Sequence, residues 1–349
     1  MRSKFVTPKK IIPILFLLLL LVYYLFNISQ DNIIIRLHDD QIDIQKFNNA
    51  IAEFIIEHGY GYQVEKVEST VKEIHDRLVK GEIDITLELW GENNLTWYQK
   101  EMNNGNIRDL GVLYDSGQQY WIIPEWYARE KQIKTVFDMT RHWRDFTNPG
   151  DPSKGVFFNC IFGWACRDIN SVKLKAYGLD RYYNTVSPIS PESLKSIYET
   201  AQKRKLPIFG YYWEPNSIMT NYEWFILEEP PYSEAIWVEI IQAAFNDTTA
   251  SVNEACAFNH SGVHKIANSN LGSKAPNLVV MFKKMKIDIR FFNEMLSDRT
   301  GTGNDIPSFE KLAQIFLKNH PDKWNSWVTT PAKNKIEQAL VNIKTSDTG

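Results

Sequence analysis

Between Ile33 and Trp90 the chain alternates between β-rich runs and amphipathic helical stripes, and this order restricts the fold more than any other feature. Ile33-Ile-Ile-Arg-Leu-His38 reads as a strand, after which Ile44, Phe47, Ile51, Phe54 and Ile55 recur at helical spacing up to Gly59. Tyr62 to Val67 is a second strand. Thr70-Val-Lys-Glu73 has the form of a capping box and opens a helix expected to turn Val71, Ile74 and Leu78 inward, with Gly81 as its stop. Ile83-Asp-Ile-Thr-Leu-Glu-Leu-Trp90 follows as a third strand. A βαβαβ order requires parallel strands with helices crossing the sheet faces, so the expected class is α/β.

A chain of 349 residues is long enough for two units, each with its own core. The stretch Leu110 to Pro124 has the length and composition of a strand that leaves one lobe and enters another, which places a first boundary near Ser116 to Trp121. The second unit carries a well-signalled helix. Ser190 is its N-cap, Pro191 its first residue, Leu194, Ile197 and Ala201 its buried side, and Lys203 to Lys205 its basic end. That helix feeds a strand ending at Trp213. The return crossing is expected between Phe245 and Val263, and the tail from Pro276 is helical by pattern, with Trp324 and Trp327 packing it down. The expected organisation is residues 1–30 as a signal-anchor segment, 31–118 as the first part of lobe 1, 119–249 as lobe 2, and 250–349 as the remainder of lobe 1 with C-terminal helices.

The chemistry centres on Gly155-Val-Phe-Phe-Asn-Cys-Ile-Phe-Gly-Trp-Ala-Cys-Arg-Asp-Ile-Asn170, which sets Trp164 between a β-like run and a helical pattern. Backbone N–H groups of that helix's first turn then lie beside an indole face. The N–H groups suit a carboxylate and the indole suits a quaternary ammonium, so the corner fits a small zwitterion. Trp90 and Trp213 also close strands, and ligands of open α/β sheets bind beyond the carboxyl ends of strands. The three indoles are therefore candidates for one aromatic cage. Cys160 and Cys166 are near enough in sequence to bridge in an oxidising compartment, or else are two unpaired core thiols. Cys256 is left over.

Asn159-Cys-Ile-Phe-Gly-Trp-Ala-Cys166, Lys175-Ala-Tyr-Gly-Leu179, Tyr211-Tyr-Trp-Glu-Pro215 and the upstream Trp90 together resemble the glycine betaine/proline-betaine substrate-binding proteins of ABC transporters, over about Ile33 to Leu340. The resemblance implies a type II periplasmic-binding-protein fold, two α/β lobes with hinge crossovers that close on ligand without catalysis. It also implies a Cys160–Cys166 disulfide, a cage of Trp90, Trp164 and Trp213, and an ABC permease as the receiving partner. The anionic end of the ligand is then expected on the backbone N–H groups of Ala165 and Cys166. The family commonly adds a side-chain donor, often histidine, a few residues after the first tryptophan. Here Asn94 stands in that place and brings no positive charge. Glu88 shares a strand face with Trp90 by period-two alternation, and a carboxylate facing the cage would favour a net cation such as choline over betaine.

A net charge of −3 gives no reason to expect nucleic acid, and aromatic residues at 13% supply enough rings for a cage even if most of the eleven tryptophans are core. Arg2, Lys4, Lys9 and Lys10 precede an apolar run from Ile11 to Phe26, which reads as an uncleaved signal-anchor with the body extracytoplasmic. Sequons at Asn27, Asn94, Asn246 and Asn259 matter only in a eukaryotic host. His58, His75, His260 and His264 have no metal-ligand spacing, and no cofactor fingerprint is present. The expected function is capture of glycine betaine or a related quaternary amine for osmoprotection or nutrition. The alternatives are a choline-binding ectodomain without a permease, and an enzyme using Glu88 and Glu214 as paired carboxylates on a glycan.

Overall fold

The computed structural model describes residues 33–147, 150–245, 252–299 and 306–346. The expected anchor at 11–26 and the sequons at Asn27 and Asn246 lie outside them. Among the described residues, no helix is long and apolar enough to cross a membrane.

The first half of lobe 1 is built as its alternation demands. Strand β1 (Ile34–Asp39) lies between β2 (Gln63–Glu68) and β3 (Ile85–Trp90), parallel to both, with α1 (Asp43–Phe54) and α2 (Val71–Lys80) as crossovers. The capping box closes α2: Thr70 N–H donates to Glu73 at 2.9 Å while the Thr70 hydroxyl accepts from the Glu73 N–H at 3.4 Å. α1 does not stop at Gly59. A π-helical turn, Ile55–Tyr60, carries it on to Gly61 at φ +78°. Gly59 instead serves contact, because a Cβ there would meet Ile336 at 2.9 Å.

After α3 (Leu95–Asn103) comes the element that joins the lobes, the 18-residue strand β4 (Ile107–Pro124). From Ile107 to Gly117 it pairs with β9 (Ser261–Asn268), which in turn pairs with β3; from Gln118 to Ile122 it pairs with β7 (Gly210–Glu214), and its end also pairs with β8 (Trp224–Ile226). Lobe 2 continues through β5 (Gly155–Phe158) and β6 (Tyr183–Val186), parallel to each other, with α4 (Ala165–Ala176), α5 (Pro191–Arg204) and α6 (Glu234–Phe245) around them. The whole sheet runs β2-β1-β3-β9-β4-β7-β5-β6.

Each lobe has its own core. In lobe 1, Ile35, Leu37, Phe47 and Ile51 pack with Phe292, Phe316, Trp324 and Trp327 from the C-terminal helices, which include α7 (Phe309–Asn319) and α8 (Thr330–Ser346). In lobe 2, Trp121, Phe157, Phe209 and Trp237 form the centre. Ala255, Cys256 and Phe258 still belong to that second core, and β9 begins only at Ser261, so the chain leaves lobe 2 later than residue 250. Trp90 packs against both cores, which puts it at the junction.

Candidate functional site

Trp90, Asn94, Trp164, Ala165, Cys166 and Trp213 line one cavity of about 50 Å³ between the lobes. Lobe 1 supplies Trp90 from the end of β3. Its indole Nε1–H donates to Glu88 Oε1 at 3.1 Å, and its ring covers Gly117 so closely that a Cβ there would lie 2.8 Å from it. Lobe 2 supplies Trp164 as the residue preceding α4, turned out by Gly163 at φ +93°, a conformation that favours glycine. Trp213 comes from β7, meets Trp164 edge to face at 5.1 Å between centroids, and is stacked by Tyr212 at 4.8 Å. The Trp164 Nε1–H donates across the cleft to Asp40 Oδ1 at 3.1 Å.

A buried amide network holds the Trp164 corner. Asn170 on α4 donates to Asn159 Oδ1 at 3.0 Å and accepts from the Trp121 indole at 2.8 Å, while Asn159 donates to the Arg167 carbonyl at 3.0 Å. Cys160 and Cys166 are joined by a disulfide across the same turn, and Cys256 is free and buried elsewhere in lobe 2. Ala165 and Cys166 are the first two residues of α4, whose N–H groups have no preceding helical carbonyl to bond. They are suited to an anion.

Asn94 is committed locally. Its Nδ2 donates to the Trp90 carbonyl at 2.9 Å, and its Oδ1 lies 2.9 Å from His75 Nε2, so the histidine stands behind the amide and stacks on Trp97 at 4.0 Å. Burial pushes His75 down to about 4. It is therefore neutral at pH 7 and places no charge behind Asn94.

The cavity also contains residues that sequence reasoning did not place there: Asp40, Ile42, Asn93 and Gln119. Gln119 accepts from the Tyr211 hydroxyl and from Asn93, each at 2.9 Å. Asp40 follows β1 directly, and the strand-end rule that marks Trp90 would also have marked it. Glu88 is buried, with Oε1 accepting from Tyr114 at 2.5 Å as well as from Trp90, and with Oε2 unpartnered among the described residues. Burial lifts Glu88 to about 7 against the hydrogen bonds of Tyr114 and Trp90. Asp40 is raised as well, by burial first and then by the neighbouring charges of Glu88 and Asp39. Two carboxylates and no basic side chain line the cage. Glu214 does not join them; it accepts from Tyr120 at 3.1 Å outside the cavity.

Residues 35–319 match the model of the substrate-binding domain of ABC-type glycine betaine transport systems. No curated protein is similar enough in sequence to match the chain. Among solved structures, a choline-binding protein of an ABC transporter in complex with choline is similar at TM-score 0.70 and 19% identity, with 89% of this chain and 99% of that one covered. A glycine betaine/L-proline-binding protein from Borrelia burgdorferi gives TM-score 0.68 and 16% identity, over 87% of this chain and 99% of that one. The lactococcal glycine betaine-binding domain in its closed-liganded conformation gives 0.61 and 14%, over 85% and 100%. These likenesses establish the two-lobed α/β fold.

Proposed function

The chain belongs to the family of substrate-binding domains of ABC-type glycine betaine transport systems, and from that premise we propose that it captures a quaternary ammonium ligand between its lobes, prefers choline-class cations to glycine betaine, and delivers its ligand to an ABC permease. The family binds and carries rather than transforms its ligands, and the chain is no enzyme. In this reading the body is extracytoplasmic and residues 11–26 tether it to the membrane, with lobe 1 formed by residues 31–118 and the chain from β9 onward and lobe 2 by the stretch between them.

The observation that carries the reading is the composition of one cavity: three indoles with two carboxylates, Asp40 and Glu88, and no cation. A methylated ammonium gains about 2 kcal/mol or more from a desolvated aromatic face, and its weak hydration makes the transfer inexpensive. A lysine-type ammonium would carry in N–H donors that indole faces cannot satisfy. The carboxylates then select against ligands with an anion close to the nitrogen. Glycine betaine is the second reading, favoured by the Ala165 and Cys166 N–H groups on the same cavity wall.

Calorimetric titration of the full chain with choline, glycine betaine and proline betaine tests both. Choline is expected at micromolar affinity, about 8 kcal/mol, with glycine betaine weaker. Tighter binding of betaine would install the second reading, and no heat with any of the three from folded protein would overturn both.

A further inference from the structure

Asn93, Asn94, Trp164 and Ala165 wall not only the cage but a second, larger cavity of about 760 Å³ between the lobes. Its charge is opposite to that of the cage. Lys100 from α3 and Arg167 and Lys175 from α4 line it with one carboxylate, Asp168, so its lining is net positive by two (three cations less one anion), while Glu101, outside that lining, pairs with Lys100 at 3.4 Å. Arg167 bonds Asp168 at 2.8 Å and lies over the Phe162 ring at 5.1 Å, and its Nε–H is buried with no acceptor among the described residues. The positive end of the α4 dipole lies at Ala165, beside Arg167, whereas Lys175 is in the last turn of the helix. Phe162, 70% exposed, and Phe245 add uncovered apolar surface to the same lining.

An acidic aromatic cage joined to a basic groove fits a ligand with a methylated ammonium at one end and an anion set farther off. Glycine betaine carries its carboxylate one methylene from nitrogen, beside Asp40 and Glu88. A phosphate on the hydroxyl of choline lies two carbons and an oxygen away, far enough to leave the carboxylates and reach the groove. Resting on the cage reading above, we propose that the site takes phosphoesters of choline, with the ammonium among Trp90, Trp164 and Trp213 and the phosphate in the groove near Arg167, Lys100 and Lys175. Guanidinium forks and lysine ammonium groups both suit phosphate oxygens. The remaining volume accommodates a group esterified to the phosphate.

The test is titration of the full chain at pH 7 and low salt with choline, phosphocholine and glycerophosphocholine, repeated on a Lys100→Ala/Lys175→Ala double variant. Each exposed lysine–phosphate contact is worth up to about fivefold, so at least one ester should bind about tenfold or more tighter than choline. In the double variant that advantage should fall to about threefold or less while choline affinity moves by less than about twofold. A tighter monoester assigns phosphocholine, and a tighter diester assigns a glyceryl group in the groove; both support the proposal. Choline binding with no advantage for either ester, or an advantage that survives the double variant, overturns it and leaves the cage reading intact. Absence of choline and ester binding by folded protein overturns both.

Discussion

Glu88 offers the most direct test of how the cage reads charge. Its Oε1 is fixed by Tyr114 and the Trp90 indole, Oε2 is unpartnered, and the group sits at about 7 because burial disfavours the carboxylate. At that value the ionised fraction rises from roughly a tenth at pH 6 to roughly nine-tenths at pH 8. An ammonium about 5 Å from a carboxylate at an effective dielectric of about 20 gains about 3 kcal/mol; with solvent and the indole wall between them, about 2 kcal/mol is a reasonable working value. That makes the ionised cage bind choline about thirtyfold tighter than the protonated one. Weighting the two states by their fractions gives about an eightfold increase in choline affinity from pH 6 to pH 8. Binding should also release protons near pH 7, visible as an observed enthalpy that depends on the buffer's ionisation heat. Glu88→Gln should flatten the profile and hold it near the low-pH affinity. An affinity equal within twofold at pH 6 and pH 8 would refute the reasoning, and an unchanged slope in Glu88→Gln would move the titration to Asp40.

Further outcomes follow from the same geometry. Trp164→Ala removes a cage face and the hydrogen bond to Asp40, and should weaken choline binding by about 2–3 kcal/mol, thirtyfold or more, in a protein that still melts cooperatively; retained affinity would exclude the cage. Replacing both disulfide cysteines by serine opens a loop of sequence separation 6, which chain entropy values at on the order of 2 kcal/mol, so thermal scans should show a lower Tm in the variant. His38 is held near 4 by burial, below its unfolded value of about 6.5, so its contribution is present above pH 6.5 and is lost as pH falls through 4. That linkage amounts to about 3 kcal/mol, and urea unfolding at pH 7 and pH 4.5 should show most of the loss. Glu88 works in the opposite sense, since its raised value stabilises below about 4.5 and that stability is lost as pH rises through about 7.

Much of the fold is legible because its signals are local. The capping box at Thr70, the Ser190-Pro191 helix start and the β-rich run through β4 each state their structure within a few residues. Gly59 shows the limit. It looks like a helix stop, but its reason is the approach of Ile336 from a helix more than 270 residues away in sequence. The site divides in the same way. Each of the three tryptophans stands at a strand end or a helix start, so it announces itself. Asp40, directly after β1, carries the same strand-end signal, but its partner is Trp164, 124 residues on, which donates to it only where the lobes meet. Gln119 lies within a long strand, and only the register of β4 with β7, Gln119 opposite Trp213, brings it to the cage. Glu214 is the converse case: a carboxylate beside a cage tryptophan in sequence that faces Tyr120 instead.

These placements show that neither lobe forms the cavity alone. Asp40, Glu88, Trp90 and Asn94 come from one side, and Trp164, Ala165, Cys166, Tyr211 and Trp213 from the other. Their contact surfaces are completed by bonds that exist only with the lobes together: Trp164 to Asp40, the Trp237 indole to the Glu92 carbonyl at 3.2 Å, and Lys195 to Asp43 at 3.8 Å. The last is partly exposed and contributes little. Closure thus rests on a few modest contacts plus whatever bridges the two carboxylates of lobe 1 and the indoles of lobe 2. Burial raises both Asp40 and Glu88 toward their neutral forms, and on the proposed reading a cation between them would draw them back to the ionised ones. Since a ligand can shift an opening equilibrium only by its differential affinity for the closed state, the proposed reading requires that cationic ligands bind the closed lobes more tightly than zwitterionic ones do.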